Sequence, residues 1–286
     1  MKKKIASACG IDICVGQGGD YSFFASPYQA HRDFAAVDIY QGGNFGDLAL
    51  SPVDGVVYKT VKSDSPTPTK RSLPEYLTLV RNGDSIVRMM HFKPSVKVGE
   101  EISVGDVIGT LINNGFFTYW VDPGIHVEVR RDKDFLRAKG GFELSPALNG
   151  VTGGPSKEIR GTVIGSCARN TTVELAEPAV AQAGGKPALL DGTLSLDYAG
   201  VYGAFAPKDR VFLDGIQIGK IRSAGKDMST FATEKLAVYA NDVPLAGVSF
   251  ISEGRIMKLL PKKYGTALFE KGEEIELSIR KSNTPA

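Results

Sequence analysis

Histidine, cysteine and tryptophan are scarce in this chain of 286 residues, which holds three, three and one of them. Cys9, Cys14 and Cys167 are odd in number and sparse, which excludes a disulfide framework, and no Cys-x-x-Cys pair is available for a structural metal. No apolar run approaches the ~18 residues of a membrane span. Charge of one sign is missing too: 34 Lys and Arg against 32 Asp and Glu leave a net +2, so nothing marks a nucleic-acid or acidic-membrane partner. The start, Met1-Lys-Lys-Lys-Ile-Ala-Ser-Ala-Cys9, imitates a signal peptide. Asp12 and Gly16-Gln-Gly-Gly-Asp20 cut its apolar run short of the ~7–15 residues that an h-region needs. The expectation is therefore a cytoplasmic chain, with export as the alternative.

What is abundant is glycine, 33 residues, and proline, 15, set between short Val/Ile/Leu runs; that texture predicts an all-β protein. The length allows two domains. Gly150-Val-Thr-Gly-Gly-Pro155 reads as a linker, which predicts domains over 1–154 and 155–286. In the first half, residues 2–15 read as an opening strand, and Leu48 to Tyr58 as two strands about a tight Asp54-Gly55 turn. Tyr76–Arg81 and Ser85–Phe92 read as a hairpin about Asn82-Gly83, and Ser63–Pro74 as an exposed loop. The second half predicts antiparallel strands over Ile159–Ser166, Thr172–Ala176, Leu189–Tyr198, Arg210–Ile221, Ser229–Ala240, Leu245–Ser252, Arg255–Leu260 and Glu274–Arg280. Tyr198 to Gly203 reads as a turn, and nothing in this half names a function.

The chemistry concentrates elsewhere. In Gly124-Ile-His126-Val-Glu-Val129, His126 projects from one face of a predicted strand. His31 is followed seven residues later by Asp38, in the strand-like Ala-Val-Asp38-Ile-Tyr. Two imidazoles and a carboxylate on separate short elements are the ligand types for zinc with one position left open. By residue type alone the same histidines are equally compatible with an unrelated set, one of them a satisfied core residue. Glu128 lies two positions after His126 and so on the same strand face, within reach of a supporting contact or simply ion-paired.

Three segments follow one another in order: Ala36-Val-Asp38-Ile-Tyr40 with Ala49-Leu-Ser-Pro-Val-Asp54-Gly55-Val56-Val57; Met90-His91-Phe92 with Val96-Lys-Val-Gly99 and Val104-Gly105-Asp-Val-Ile-Gly109; and Gly124-Ile-His126-Val-Glu128-Val129. In that order, from about residue 28 to about residue 132, they resemble the lysostaphin/LytM-type zinc metallopeptidases. The resemblance implies an N-terminal duplicated hybrid motif β-sandwich, followed here by an antiparallel β domain of unknown function. It implies Zn2+ held by His31, Asp38 and His126, with His91 as a catalytic histidine that is not a ligand. It also implies a peptide or peptidoglycan-like substrate.

The chain departs from the family's third motif, which opens on a histidine where this sequence has Gly124. Amide hydrolysis needs a proton acceptor and donors for the oxyanion, and losing one such donor costs ~2.7–4 kcal/mol. Proton transfer then falls to His91, with Tyr119 and Asp122 as further candidates. The resemblance thus implies a metallopeptidase-like protein whose activity is weakened or lost, a pseudoenzyme in the limit. Two other readings stay open: a non-catalytic ligand- or partner-binding module on the same scaffold, and a phosphocarrier-like hybrid-motif domain using His91 and His126. The carboxylate of Asp38 fits zinc better than phosphohistidine chemistry.

Overall fold

A computed structural model describes residues 2–65, 73–114, 120–132, 134–137, 139–148, 150–151 and 153–282. The protein is all-β: among the described residues the only helix is the single turn Gln29–Arg32. Among the described residues no helix is long and apolar enough to cross a membrane. Cys9, Cys14 and Cys167 carry free thiols. The chain divides into two compact units, Met1–Tyr21 with Tyr28–Leu148, and Ser22–Pro27 with Asn149–Ala286. Six residues from the beginning of the chain thus belong with its second half.

The first unit is built on a seven-stranded sheet in the order Glu101–Ile102, Gly55–Ser65, Leu73–Asn82, Ser85–Met90, Gly124–Arg131, Ala36–Tyr40 and Asp20–Ser22. The pairings from Glu101–Ile102 through to Ala36–Tyr40 are antiparallel. The strand Gly124–Arg131 alternates as its sequence dictates: Ile125, Val127 and Val129 fill the apolar core on one face. The other face presents His126, Glu128 and Arg130, and these are buried as well. Ordinary half-buried strands send such residues to water, so a row of enclosed charges marks this face as exceptional. Register decides their neighbours: His126 lies opposite Asp38 on one side and Met90 on the other, and Glu128 opposite Arg88. A slip of one residue would exchange the charged and apolar faces and is excluded by the core.

Several sequence expectations are corrected here. Residues 2–15 are not one strand but the hairpin Lys3–Ala8 and Ile11–Val15, turned at Cys9 and Gly10 with φ of +51° and +78°. A cysteine seldom adopts that conformation, so the turn left no signature. The strands flanking Asp54-Gly55 are present but do not pair: Leu48–Leu50 joins Val107–Leu111 and Phe92–Pro94 in a three-stranded sheet, whereas Gly55–Ser65 belongs to the large one. The loop expected over Ser63–Pro74 is narrower, with strands reaching Ser65 and resuming at Leu73; residues 66–72 lie outside the described ones.

The second unit is a 13-stranded antiparallel sheet in which Val180–Ala183 also pairs with Lys186–Thr193, so that six strands close a barrel. Three long predicted strands are each two. Leu189–Tyr198 is interrupted between Lys186–Thr193 and Tyr198–Tyr202, and the supposed turn at Tyr198 is the second of these strands. Arg210–Ile221 is a hairpin about Asp214 and Gly215, with φ of +48° and +69°. Ser229–Ala240 divides into Met228–Thr233 and Leu236–Ala240. In the first, Leu194 and Leu196 continue the apolar alternation across the break. The other two breaks fall at Asp214-Gly215 and Glu234-Lys235, a turn dipeptide and a pair of charges inside the predicted runs.

Ser22–Pro27 is anchored in this unit by Asp191. The buried carboxylate accepts hydrogen bonds from the Ser22 hydroxyl, from the backbone of Phe23 (3.3 Å) and Phe24 (3.0 Å), and from the Tyr202 hydroxyl (2.9 Å). The Phe24 ring lies directly on Gly200, where a Cβ would come within 1.9 Å of a ring carbon. Complete burial pushes the Asp191 carboxyl up to about 6, although all four hydrogen bonds favour its charged form.

Candidate metal centre

Three elements bring the predicted ligands together. His31 sits on the helical turn Gln29–Arg32, which is closed by hydrogen bonds from Asp33 to Gln29 (2.9 Å) and from Ala35 to Ala30 (2.8 Å). Phe34, at φ +60°, then reverses the chain into Ala36–Tyr40, which carries Asp38. That turn accommodates the seven-residue step between the two ligand candidates. His126 lies opposite Asp38 in the adjacent strand. His31 Nε2 is 3.2 Å from His126 Nδ1 and 3.3 Å from Asp38 Oδ1, and His126 Nδ1 is 2.9 Å from Asp38 Oδ1.

The donor set fits zinc. Ligand atoms ~2.0–2.1 Å from a tetrahedral zinc stand about 3.3 Å from one another, and the three separations cluster at that edge length. The remaining nitrogen of His126 points the other way, with Nε2 2.9 Å from Glu128 Oε1. A metal-binding imidazole characteristically donates its second N–H to a carboxylate, which fixes its tautomer. Glu128 is in turn gripped by Arg88 and Arg130, its two oxygens each taking one guanidinium. Arg88 also donates to the carbonyls of Phe135 (3.1 Å) and Arg137 (2.9 Å), and Arg130 to those of Asp134 (2.8 Å) and Lys139.

The local electrostatics call for a cation at the triad. Burial alone would lower the His126 imidazole, but its hydrogen bonds to Asp38 and Glu128 raise it to about 9. Burial would raise both carboxyls; instead His31 and His126 hold Asp38 well below the usual range, and His126 with Arg88 brings Glu128 down to about 2. One ionised carboxylate, Asp38, thus stands where the ligand atoms converge, and a second, Glu128, lies behind the His126 ring.

Beside it is a cavity of about 390 Å³, a size suited to a short stretch of peptide, with Leu77, Met90 and Leu136 on its apolar wall and Arg88, His91, His126 and Glu128 on its polar one. The His91 ring is 5.9 Å from that of His126. Tyr28 also lines the cavity; burial and then the Asp38 charge push its phenol up, so it stays a hydroxyl donor. Tyr119 lies outside the described residues. Asp122 is not among the residues lining the cavity.

Gly124 is more than a missing imidazole. A Cβ there would stand 2.7 Å from the Ile39 carbonyl oxygen and 3.0 Å from a Tyr40 ring carbon, so the backbone has closed onto the space a side chain would need. Sequence reading missed Tyr28, Glu75, Arg88 and Asn114. No motif marked them: strand register brings in Glu75 and Arg88, whereas Tyr28 precedes the helical turn Gln29–Arg32 and Asn114 follows the strand Val107–Leu111.

Residues 13–146, under half of the chain, match a family model described as a domain of unknown function, the DUF8155 N-terminal domain. No curated protein matches the chain. Among solved structures, an NMR solution structure of lysostaphin is similar at 14% identity over 87% of this chain and 95% of that one, with a TM-score of 0.30. A structure of the antimicrobial peptidase lysostaphin from Staphylococcus simulans gives 15% identity over 89% and 94%, also at 0.30. Superpositions of that quality do not carry a fold assignment, which rests here on the strand order itself.

Proposed function

We propose that the first unit is a zinc-dependent peptide hydrolase of weak activity, holding the metal through His31 Nε2, Asp38 Oδ1 and His126 Nδ1. The observation that carries this reading is the tetrahedral-edge spacing of those three atoms together with the Glu128 contact behind His126. The order of the sequence motifs supports it independently. Zinc in such a donor set supplies Lewis acidity toward a carbonyl and toward water. The protein's own contributions follow from the site. Arg88, Arg130 and Glu128 keep the His126 ring in its orientation, the cavity takes the peptide, and His91 receives the proton given up by the attacking water. The Tyr28 hydroxyl, on the cavity lining, would donate to the developing oxyanion.

Closure of the backbone at Gly124 removes one imidazole from this scheme, and a general base typically contributes ~10²–10⁴-fold. Hydrolysis of oligoglycine or cross-link peptides is therefore slow even with zinc in place. A second reading, a binding module that keeps the metal but cleaves nothing, is favoured by the same closure. Elemental analysis and a peptide-cleavage assay separate the two. About one equivalent of zinc, lost in His126→Ala, is expected for both; slow cleavage abolished by His91→Ala is expected only of the hydrolase. Protein that takes up no zinc would sink both.

A further inference from the structure

Glu75 is a buried carboxylate that no motif singles out, on the strand Leu73–Asn82. Four donors converge on it. Its Oε1 accepts the backbone N–H of Tyr76 at 2.8 Å and that of His91 at 3.0 Å. Its Oε2 lies 2.7 Å from His91 Nδ1 and also accepts from Asn114 Nδ2. One carboxylate therefore holds His91 twice, by its backbone and by its ring. The backbone of His91 needs holding, since its φ of +74° is a conformation that non-glycine residues seldom adopt.

The contact with Oε2 settles where the imidazole proton belongs. An oxygen 2.7 Å from Nδ1 requires hydrogen between them, because two lone pairs at that distance repel. Asn114 Nδ2 is also 3.1 Å from Nδ1. If Asn114 donated to Nδ1 instead, Nδ1 would turn a bare lone pair toward the carboxylate; a proton on Nδ1 lets both His91 and Asn114 donate to Oε2. The lone pair of the neutral ring is then on Nε2, and His91 lines the cavity.

We infer that Glu75 is the positioning residue of His91, fixing the Nδ1–H tautomer so that its basic nitrogen is Nε2. The use of this arrangement rests on the hydrolase reading above; the arrangement itself does not. It gives the chain a carboxylate–imidazole pair in which the ring can accept a proton at Nε2 while Glu75 steadies the cation that forms. Asn114 helps by orienting the carboxylate.

The test uses the full chain, with imidazole nitrogens labelled with 15N and signals assigned through His91→Gln, both with zinc and after chelation. The long-range couplings of His91 should report Nδ1–H in both states. Asn114→Ala should keep that tautomer, and Glu75→Gln should keep it too, since an amide oxygen also accepts. Glu75→Ala should shift the ring to the Nε2–H form that histidine prefers in water. Where peptide cleavage is measurable, Glu75→Ala should lower kcat about 10–100-fold with KM little changed, and Glu75→Gln should fall between. Nε2–H in the unaltered protein, or loss of Nδ1–H in Asn114→Ala but not in Glu75→Ala, overturns the inference. Should Glu75→Ala fail to fold, the spectra of the unaltered protein and of Asn114→Ala decide alone. A chain that binds no zinc and cleaves nothing would end the hydrolase reading and leave the tautomer result standing.

Discussion

Glu128 in the first unit and Asp191 in the second are both wholly buried, and their surroundings are opposite in kind. Glu128 meets Arg88, Arg130 and the His126 ring, all of which are or can become cations. Asp191 meets two backbone amides and two hydroxyls, all neutral. The first arrangement is an ion network whose mutual attraction has to offset the desolvation of every member, so it is weak evidence for stability and needs another reason to exist. Orienting His126 toward a metal is such a reason. The second arrangement binds one stretch of chain to one socket, and stability is reason enough. Under the hydrolase reading the same residue class serves chemistry in one unit and architecture in the other.

The largest effect expected follows from removing the carboxylate among cations. Glu128→Ala leaves Arg88 enclosed without its counter-charge and Arg130 with only the more distant Asp134 (4.0 Å), and breaking a buried pair in this way costs about 3–5 kcal/mol. Denaturant unfolding of the first unit should register it. Zinc affinity should fall about 10–100-fold at the same time, because His126 loses the contact that fixes its tautomer. A fully stable Glu128→Ala would break the comparison, since the ion network would then be as dispensable as a surface one.

Asp191 offers the next effect, with a sign worked out from its environment. Its carboxyl is raised from 3.8 to about 6 in the folded protein, so between these values the folded state holds a proton that the unfolded state has released. Stability of the second unit is therefore fully present below about pH 4 and declines as pH rises through 6, by about 3 kcal/mol at most. Thermal unfolding of this unit at pH 4, 5, 6 and 7 should show that slope, and Asp191→Asn should remove it. A slope of the opposite sign would show that the four hydrogen bonds outweigh burial.

Gly124 sharpens the functional half of the contrast. Adding a methyl group 2.7 Å from the Ile39 carbonyl forces the strand to move, at about 1–3 kcal/mol. Gly124→Ala should accordingly destabilise the first unit by that amount. Gly124→His should not restore fast peptide cleavage, because the backbone must open before the ring can enter. A histidine variant that gains activity at unchanged stability would instead mean that the cleft is a peptidase site lacking a single part.

The sequence made some of this legible and concealed the rest for physical reasons. The β class could be read from glycine, proline and short apolar runs, and the meeting of His31, Asp38 and His126 from motif order. The break after Thr193 could not be read from periodicity, since Leu194 and Leu196 continue the apolar alternation, whereas the break after Leu213 falls on Asp214-Gly215, a turn dipeptide enclosed by a long apolar run. Glu75, between the predicted loop and hairpin, and Arg88, inside that hairpin, belong to no motif, and only register places them against His91 and Glu128. Ser22–Pro27 lies far along the chain from Asp191, and a contact across that separation has no local signature. Tyr119, expected as a helper in catalysis, lies outside the described residues.

The smallest effect tests the socket in the second unit one donor at a time. Ser22 donates its hydroxyl proton to Asp191 Oδ1, and its oxygen accepts from the backbone of Phe24 (3.2 Å) and Ala25 (2.9 Å). Ser22→Ala keeps the backbone path and removes these contacts, for about 1–2 kcal/mol. The cost should depend on pH. Above about 6 Asp191 is charged and its hydrogen bonds are the stronger, charge-assisted kind; near pH 4 it is neutral and they are worth about half as much. Losing a donor that favours the charged form also raises the Asp191 carboxyl further, so the decline in stability should begin at the same pH and extend to higher pH. Unfolding of Ser22→Ala beside the unaltered protein at pH 4 and pH 7 measures both. An equal loss at the two values would mean that Ser22 acts through its contacts with Phe24 and Ala25 alone, and that Asp191 holds this stretch by the remaining three donors.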